Sequence, residues 1–537
     1  MSAVLIGSAI PLGLAGSQTA QAASRTYYVS PIGSDGNPGT SPAKPFRSLQ
    51  KAADSTAPGD TVSIMNGTYR ERAGGSDVMV ISRSGRPEAP ITFQAHPGHH
   101  PVINPVAAWN GIRISGASHI VVRGLEIKGN SANISLAEAE RGASTRKGKY
   151  NTNCVWAEKN KQSGAVPHHI EIVGNTVHHC PGLGIGSRDA DYMTIDRNHV
   201  HSNSWYTVFA TSGISILAAR DIDRGDPKKY KIRVTNNTVH DNETRVRWER
   251  CKCYSDGNGI IIDTLKDKAK AGESGPDYRG RVLVANNVSY NNGGSGIHSY
   301  KSQHVDILHN TAYQNGRSTR MESYANIFAH DSRDVRLLNN VAHGRPGQAT
   351  NSKSRNVDVA YDYNVYYGGK APEVKGPHDI VADPKIVKPG SDAGTAFRLR
   401  KGSPAIGSAK PLPEVTTDIT GARRKADAPD RGAYAFATSG AAPGAGPTAA
   451  SGSDATTTPQ GGVSPQDSGT EATEPSEALN GSPSDEAGAG TANDVRADGD
   501  SEPLAATGAG VALPFGLAAA ALALGGGFVF LLRRKRT

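Results

Sequence analysis

Short apolar runs recur through the middle of the chain, each with an asparagine at the same place. They are Ile172 to Val177, Ile195 to Val200, Val234 to Val239, Val284 to Ser289, Ile307 to Ala312 and Leu337 to Ala342. Asn175, Asn198, Asn237, Asn287, Asn310 and Asn340 hold matching positions within them. A weaker copy ends after Asn364, and an earlier one, Val121 to Ile127, carries Gly124 at the asparagine place. The steps between successive asparagines are 23, 39, 50, 23, 30 and 24 residues, so the unit is about 23 with insertions in three steps. A unit this short cannot bury its own apolar face, and stacking on its neighbours solves that. The pattern therefore predicts a solenoid of short strands paired ~4.8 Å apart between turns. The asparagine is expected at a corner, where it tolerates left-handed backbone and bonds to its counterpart one turn on.

A second strand follows each corner. The strands are Gly184 to Arg188, Gly213 to Leu217, Gly259 to Asp263, Gly296 to Tyr300 and Asn326 to His330. If the first Ile of each points inward, alternate positions form two outward columns. One column reads Gly186, Ser215, Ile261, His298 and Phe328, and the other Arg188, Leu217, Asp263, Tyr300 and His330. The stretch 46–55 is amphipathic and is the candidate helix covering the open end of the coil.

Composition adds little to the fold but much to the setting. Hydrophobic residues make up 36% and Gly numbers 62 among 537 residues, which excludes a Leu-rich helical core. Residues 437–537 hold 11 acidic and 5 basic residues, leaving 54 basic and 39 acidic before them, a net +15. A basic folded part suits an anionic partner. The cations are scattered without interleaved aromatics, so an acidic polysaccharide or an anionic wall is expected rather than nucleic acid. Four cysteines (Cys154, Cys180, Cys251 and Cys253) allow three pairings, and Cys251 with Cys253 lacks the neighbours of a zinc site.

Both ends look like addresses. Residues 1–22 hold an apolar run and Ala20-Gln21-Ala22, a signal-peptide pattern. No Lys or Arg precedes Arg25, so the true start is expected upstream. Residues 437–503 are rich in Ser, Gly, Ala, Pro and acid and read as a disordered stalk. Residues 504–537 begin with Leu504-Ala505-Ala506-Thr507-Gly508. Val511 to Leu532 then carry no charge, about 33 Å of helix at ~1.5 Å per residue. Arg533 to Arg536 close the chain. This order resembles the LAxTG-type cell-wall sorting signals of Gram-positive bacteria, in the variant typical of actinobacteria. The resemblance implies a sortase that cleaves after Thr507 and joins it to peptidoglycan.

The opening, Tyr27 to Gly39 with Pro45 to Ala53, Pro58 to Val62 and Asn66 to Tyr69, resembles the pectate-lyase-like superfamily of right-handed parallel β-helices. The asparagine-ladder turns and the closing Ser403 to Ile406 and Asp430 to Tyr434 resemble it too. The likeness covers about 26–436 and implies an all-β right-handed parallel β-helix domain over 23–436. It implies no single reaction, because many activities share the scaffold.

His298, Tyr300, Asp263 and His330 are expected on one patch, with Arg188 further along it. Lys301, Lys266 and Asp331 are expected nearby for substrate binding. A base, a phenol and cations suit β-elimination from a uronic-acid glycan, which removes the proton α to a neutralised carboxylate. Gly296-Ile297-His298 is similar to a strand of the family-nine pectate lyases, with His where they have Lys. Asp256 and Asp263 stand where that family crowds three calcium-binding Asp, so a Ca²⁺ ion on this pair is the implied cofactor. Two further readings stay open. One is a glycoside hydrolase using Asp256 and Asp263 as its carboxylate pair, and the other is a non-catalytic glycan-binding or adhesive protein. In each the chain is expected to act as a monomer.

Overall fold

The computed structural model describes residues 23–71, 77–321, 324–391 and 396–436. The signal-like segment, the stalk and the sorting signal lie outside the described residues. Among the described residues, no helix is long and apolar enough to cross a membrane.

Three parallel sheets run the length of the domain, of 11, 8 and 11 strands, and each strand pairs with its counterparts in neighbouring turns. The first sheet runs from Thr26–Val29 to Val357–Asp362, and the second from Met79–Ile81 to Ile327–His330. The third runs from Thr68–Tyr69 to Ile380–Val381. Ile172, Ile195, Val234, Val284, Ile307 and Leu337 stack in the first sheet and fill the core. Val177, Val200 and Val239 do the same in the third.

The asparagines form the expected ladder. Asn175 Nδ2 donates to Asn198 Oδ1 at 3.0 Å, and the chain of bonds continues through Asn237, Asn287, Asn310 and Asn340 to Asn364. The left-handed residue is not the ladder asparagine, as expected, but the one before it. Gly174, Arg197, Asn236, Asn286, His309 and Asn339 have φ between 52° and 64°. That kink aims the next side chain inward, where its amide bonds to the turns on either side. A second ladder, unforeseen, runs through Asn203, Asn242, Asn292, Asn315 and Asn326 at the following corner.

The capping helix covers Leu49–Ser55, with Ser48 Oγ accepting from Lys51 N at its start. Leu49, Ala52 and Ala53 are buried. Gln50 satisfies the exposed edge of the second sheet by bonding to both N–H and C=O of Val80, at 2.8 and 3.1 Å. Of the three cysteine pairings the fold selects Cys154–Cys180, in the core, and Cys251–Cys253, in an insertion.

Candidate functional site

Strand pairing in the second sheet places Gly186, Ser215, Ile261, His298 and Phe328 in one column. Arg188, Leu217, Asp263, Tyr300 and His330 fill the next, in the register the sequence implies. Ile185, Ile214, Ile260, Ile297 and Ile327 of the same strands point into the core. Parallel pairing stacks like positions, so the rings meet face to face. His298 lies 4.7 Å from Phe328 and Tyr300 5.4 Å from His330, with planes within 4° of parallel.

The face is not the wet groove expected. Asp256, Asp263, His298 and Tyr300 expose 3%, 0%, 6% and 5% of their surface. Among the acidic and aromatic side chains of this column, only His330, at its end, is half-exposed. The insertion after Asp263 folds back along this face. Its Glu273 takes Arg188 in an ion pair of 2.6 Å, and its Lys268 Nζ donates to the carbonyls of Ala218 and Ala219. Arg188 is therefore held by Glu273, and Leu217 separates it by one rung from Asp263. It does not join the acidic and aromatic cluster. Lys266 and Asp331 do come together, at 3.0 Å, but as an ion pair with each other. Lys301 Nζ lies 5.3 Å from the Tyr300 ring centre.

Burial sets the electrostatics. Asp256 accepts from Ser255 Oγ at 2.5 Å and from Asn258 Nδ2 at 3.3 Å. Loss of water, with the charge of Asp263 added, pushes its carboxyl up to about 8, so it keeps a proton near neutrality. Burial, with the His330 ring adding to it, pulls His298 down to about 3, so its imidazole is neutral. Its Nδ1 lies 2.6 Å from Ser295 Oγ. The Tyr300 phenol is raised by burial and then by Asp263, and stays protonated.

Sequence reasoning missed Arg355. Its Nη2 lies 3.1 Å from His330 Nε2 and its Nε 3.8 Å from Asp331 Oδ2. It sits outside the repeat, in a corner insertion, and nothing in its local pattern marks it. Calcium does not fit the Asp256–Asp263 pair. Ca²⁺ takes six to eight oxygens, yet two carboxylates supply few of them, and Asp256 already accepts from Ser255 and Asn258. Among the described residues, the groups of three metal-competent side chains leave both Asp out. Two clefts, of about 660 and 630 Å³, open elsewhere. One is lined by Arg47, Tyr69 and Arg113 and the other by Arg146, Arg247 and Tyr254.

A family model described as a Pel9A-like, right-handed β-helix region matches residues 27–190, and one described as a right-handed β-helix region matches 110–272. The chain is a right-handed parallel β-helix. The β-helix is similar to pectate lyase Pel9A, with TM-score 0.43 and 15% identity over 77% of this chain and 96% of that one. It is also similar to a GH136 lacto-N-biosidase from Eubacterium ramulus, with TM-score 0.35 and 14% identity over 67% of each chain. A curated relative, the uncharacterized protein YwoF of Bacillus subtilis (strain 168), is 37% identical over 118 residues. That match takes in 21% of the β-helix chain and 24% of the relative, so the chain spans about a quarter of the relative's length.

Proposed function

We propose that this β-helix is an extracellular polysaccharide lyase that cleaves uronic-acid glycans by β-elimination and is held on the cell wall through Thr507. The observation that carries the reading is the contact of Arg355 with His330 above the Tyr300 ring. A uronate carboxylate entering at this half-exposed end takes the Arg355 guanidinium, with Lys301 beside it. That transfer releases the imidazole lone pair of His330, which removes the proton α to the carboxylate. The guanidinium stabilises the enolate that forms. The protonated Tyr300 phenol gives its proton to the leaving glycosidic oxygen, and the C–O bond breaks. The basic charge of residues 1–436 supports an acidic substrate. The apolar span and basic tail after Leu504 to Gly508 support sorting to the wall.

A second reading has its own observation. Asp256 is protonated near neutrality beside the charge of Asp263, the division of roles a glycoside hydrolase needs between acid and base. One experiment separates the two. The protein is incubated with a panel of uronic-acid polymers, and both absorbance and reducing ends are followed. New absorbance from an unsaturated product is the expected result. Reducing ends without absorbance favour the Asp256–Asp263 hydrolase. Binding without new ends leaves a glycan-binding module.

A further inference from the structure

On the third sheet, away from the site above, five histidines gather within three consecutive rungs. His178, His201 and His240 are paired in register and stack as parallel rings, with centroids 4.8 Å apart at each step. The stack continues onto Tyr290 at 4.5 Å. His199 reaches across, its Nε2 2.7 Å from that of His240. Ring stacking explains these members. It does not explain His179, which stands outside the stack. A left-handed φ of 56° turns His179 back on its neighbour, so that its Nδ1 lies 2.7 Å from His178 Nδ1. The ligand nitrogens of His178, His179 and His201 all lie within 4.8 Å of one another.

We propose that His178, His179 and His201 bind a divalent transition-metal ion of the zinc class, with Glu126 orienting His178 from behind. Imidazole is the preferred donor for such ions, and three imidazoles leave a position for water or an outside ligand. Nitrogens at ~2.05 Å from zinc stand ~3.3 Å apart in a tetrahedron, so small ring rotations close the set. Glu126 Oε1 lies 3.1 Å from His178 Nε2. A carboxylate there fixes the proton on Nε2 and presents the Nδ1 lone pair to the ion, the arrangement that backs most metal-bound histidines. Lys128, in register with His178, is a nearby cation that opposes the ion, and the Glu126 charge offsets it. The ion joins two successive rungs and a corner, a position from which it ties the coil together.

The test uses the full chain, prepared without a histidine tag, titrated with Zn²⁺ against a chromophoric chelator. One equivalent is expected to bind and to be lost in His179→Asn, which keeps a residue tolerant of left-handed backbone. Glu126→Gln is expected to weaken binding about 10- to 100-fold. His169→Asn, in a separate histidine group with His119 and His168, serves as control and is expected to leave this equivalent intact. Co²⁺ should give visible bands in the wild type that His179→Asn lacks, and Zn²⁺ should raise the thermal midpoint of the wild type and of His169→Asn but not of His179→Asn. Equal zinc binding by wild type and His179→Asn overturns the proposal, as does loss of the same equivalent in His169→Asn. Circular dichroism confirms that each variant is folded, and should His179→Asn unfold, Glu126→Gln and the cobalt bands decide.

Discussion

Tyr300 and His330 face each other with planes 3° from parallel, because each ends a strand of the second sheet and the strands pair position for position. Thirty residues of chain separate them, yet the winding makes them neighbours. Tyr300→Phe keeps this stack and removes only the hydroxyl. Loss of general-acid help is expected to lower the elimination rate about 10²- to 10⁴-fold, read as unsaturated-product absorbance, with the thermal midpoint unchanged. An unaltered rate would remove Tyr300 from the chemistry.

Asp256 makes stability depend on pH. Its folded carboxyl titrates at about 8, above the ordinary carboxylate value, so between about pH 4 and 8 the folded chain binds the extra proton. The stabilisation is complete below the unfolded value and is lost as pH rises through the folded one. Asp256→Asn should flatten that slope and be more stable than wild type at pH 8, by more than about 1 kcal/mol. Denaturant midpoints across this range provide the check.

The asparagine ladder should be sensitive at its rungs and forgiving beside them. Asn237 Oδ1 accepts from Asn198 N and Nδ2, and its Nδ2 donates to Ile195 O and Asn287 Oδ1. Asn237→Ala leaves these buried groups without that partner and is expected to cost about 2–4 kcal/mol. Asn236→Gly keeps the left-handed backbone and loses only the bond from Asn236 Nδ2 to Asp196 Oδ1, so it should cost less, about 1–2 kcal/mol. Urea unfolding of the two variants side by side tests the difference.

Arg188 and Glu273 form a tie between the sheet and the insertion that covers it. Glu273 has a side chain only 1% exposed. Arg188→Ala strands that carboxylate and should destabilise by about 3–5 kcal/mol. Changing both to Leu should recover most of the loss. Limited proteolysis within 264–279, fast in the single variant and slow in the double, reports the release of the cover.

Most of the fold was legible because the winding repeats. A buried asparagine between apolar residues, recurring about every 23, leaves its mark on the sequence, and the strand register around Asp263, Tyr300 and His330 followed from it. The second ladder was harder to see, because Asn203, Asn242, Asn292 and Asn315 lack the apolar flanks that mark the first. The coverage of the site was not legible at all. Glu273, Lys268 and Arg355 lie in insertions without a period, and their partners are chosen by tertiary folding alone. For the same reason Arg188 resembled a groove cation when it is an anchor for a loop. The histidine cluster escaped notice because its members alternate with Val177, Val200 and Val239, whose core role fully accounts for the pattern.

The Asn ladders keep an even vertical spacing whether the intervening chain is 23 or 50 residues long. Extra length leaves sideways at the corners and never enters the column. The scaffold can thus acquire or shed whole loops, and with them new covers or new cations such as Arg355, while the axis stays the same ruler. Chemistry on this protein is open to revision one corner at a time, without renegotiating its core.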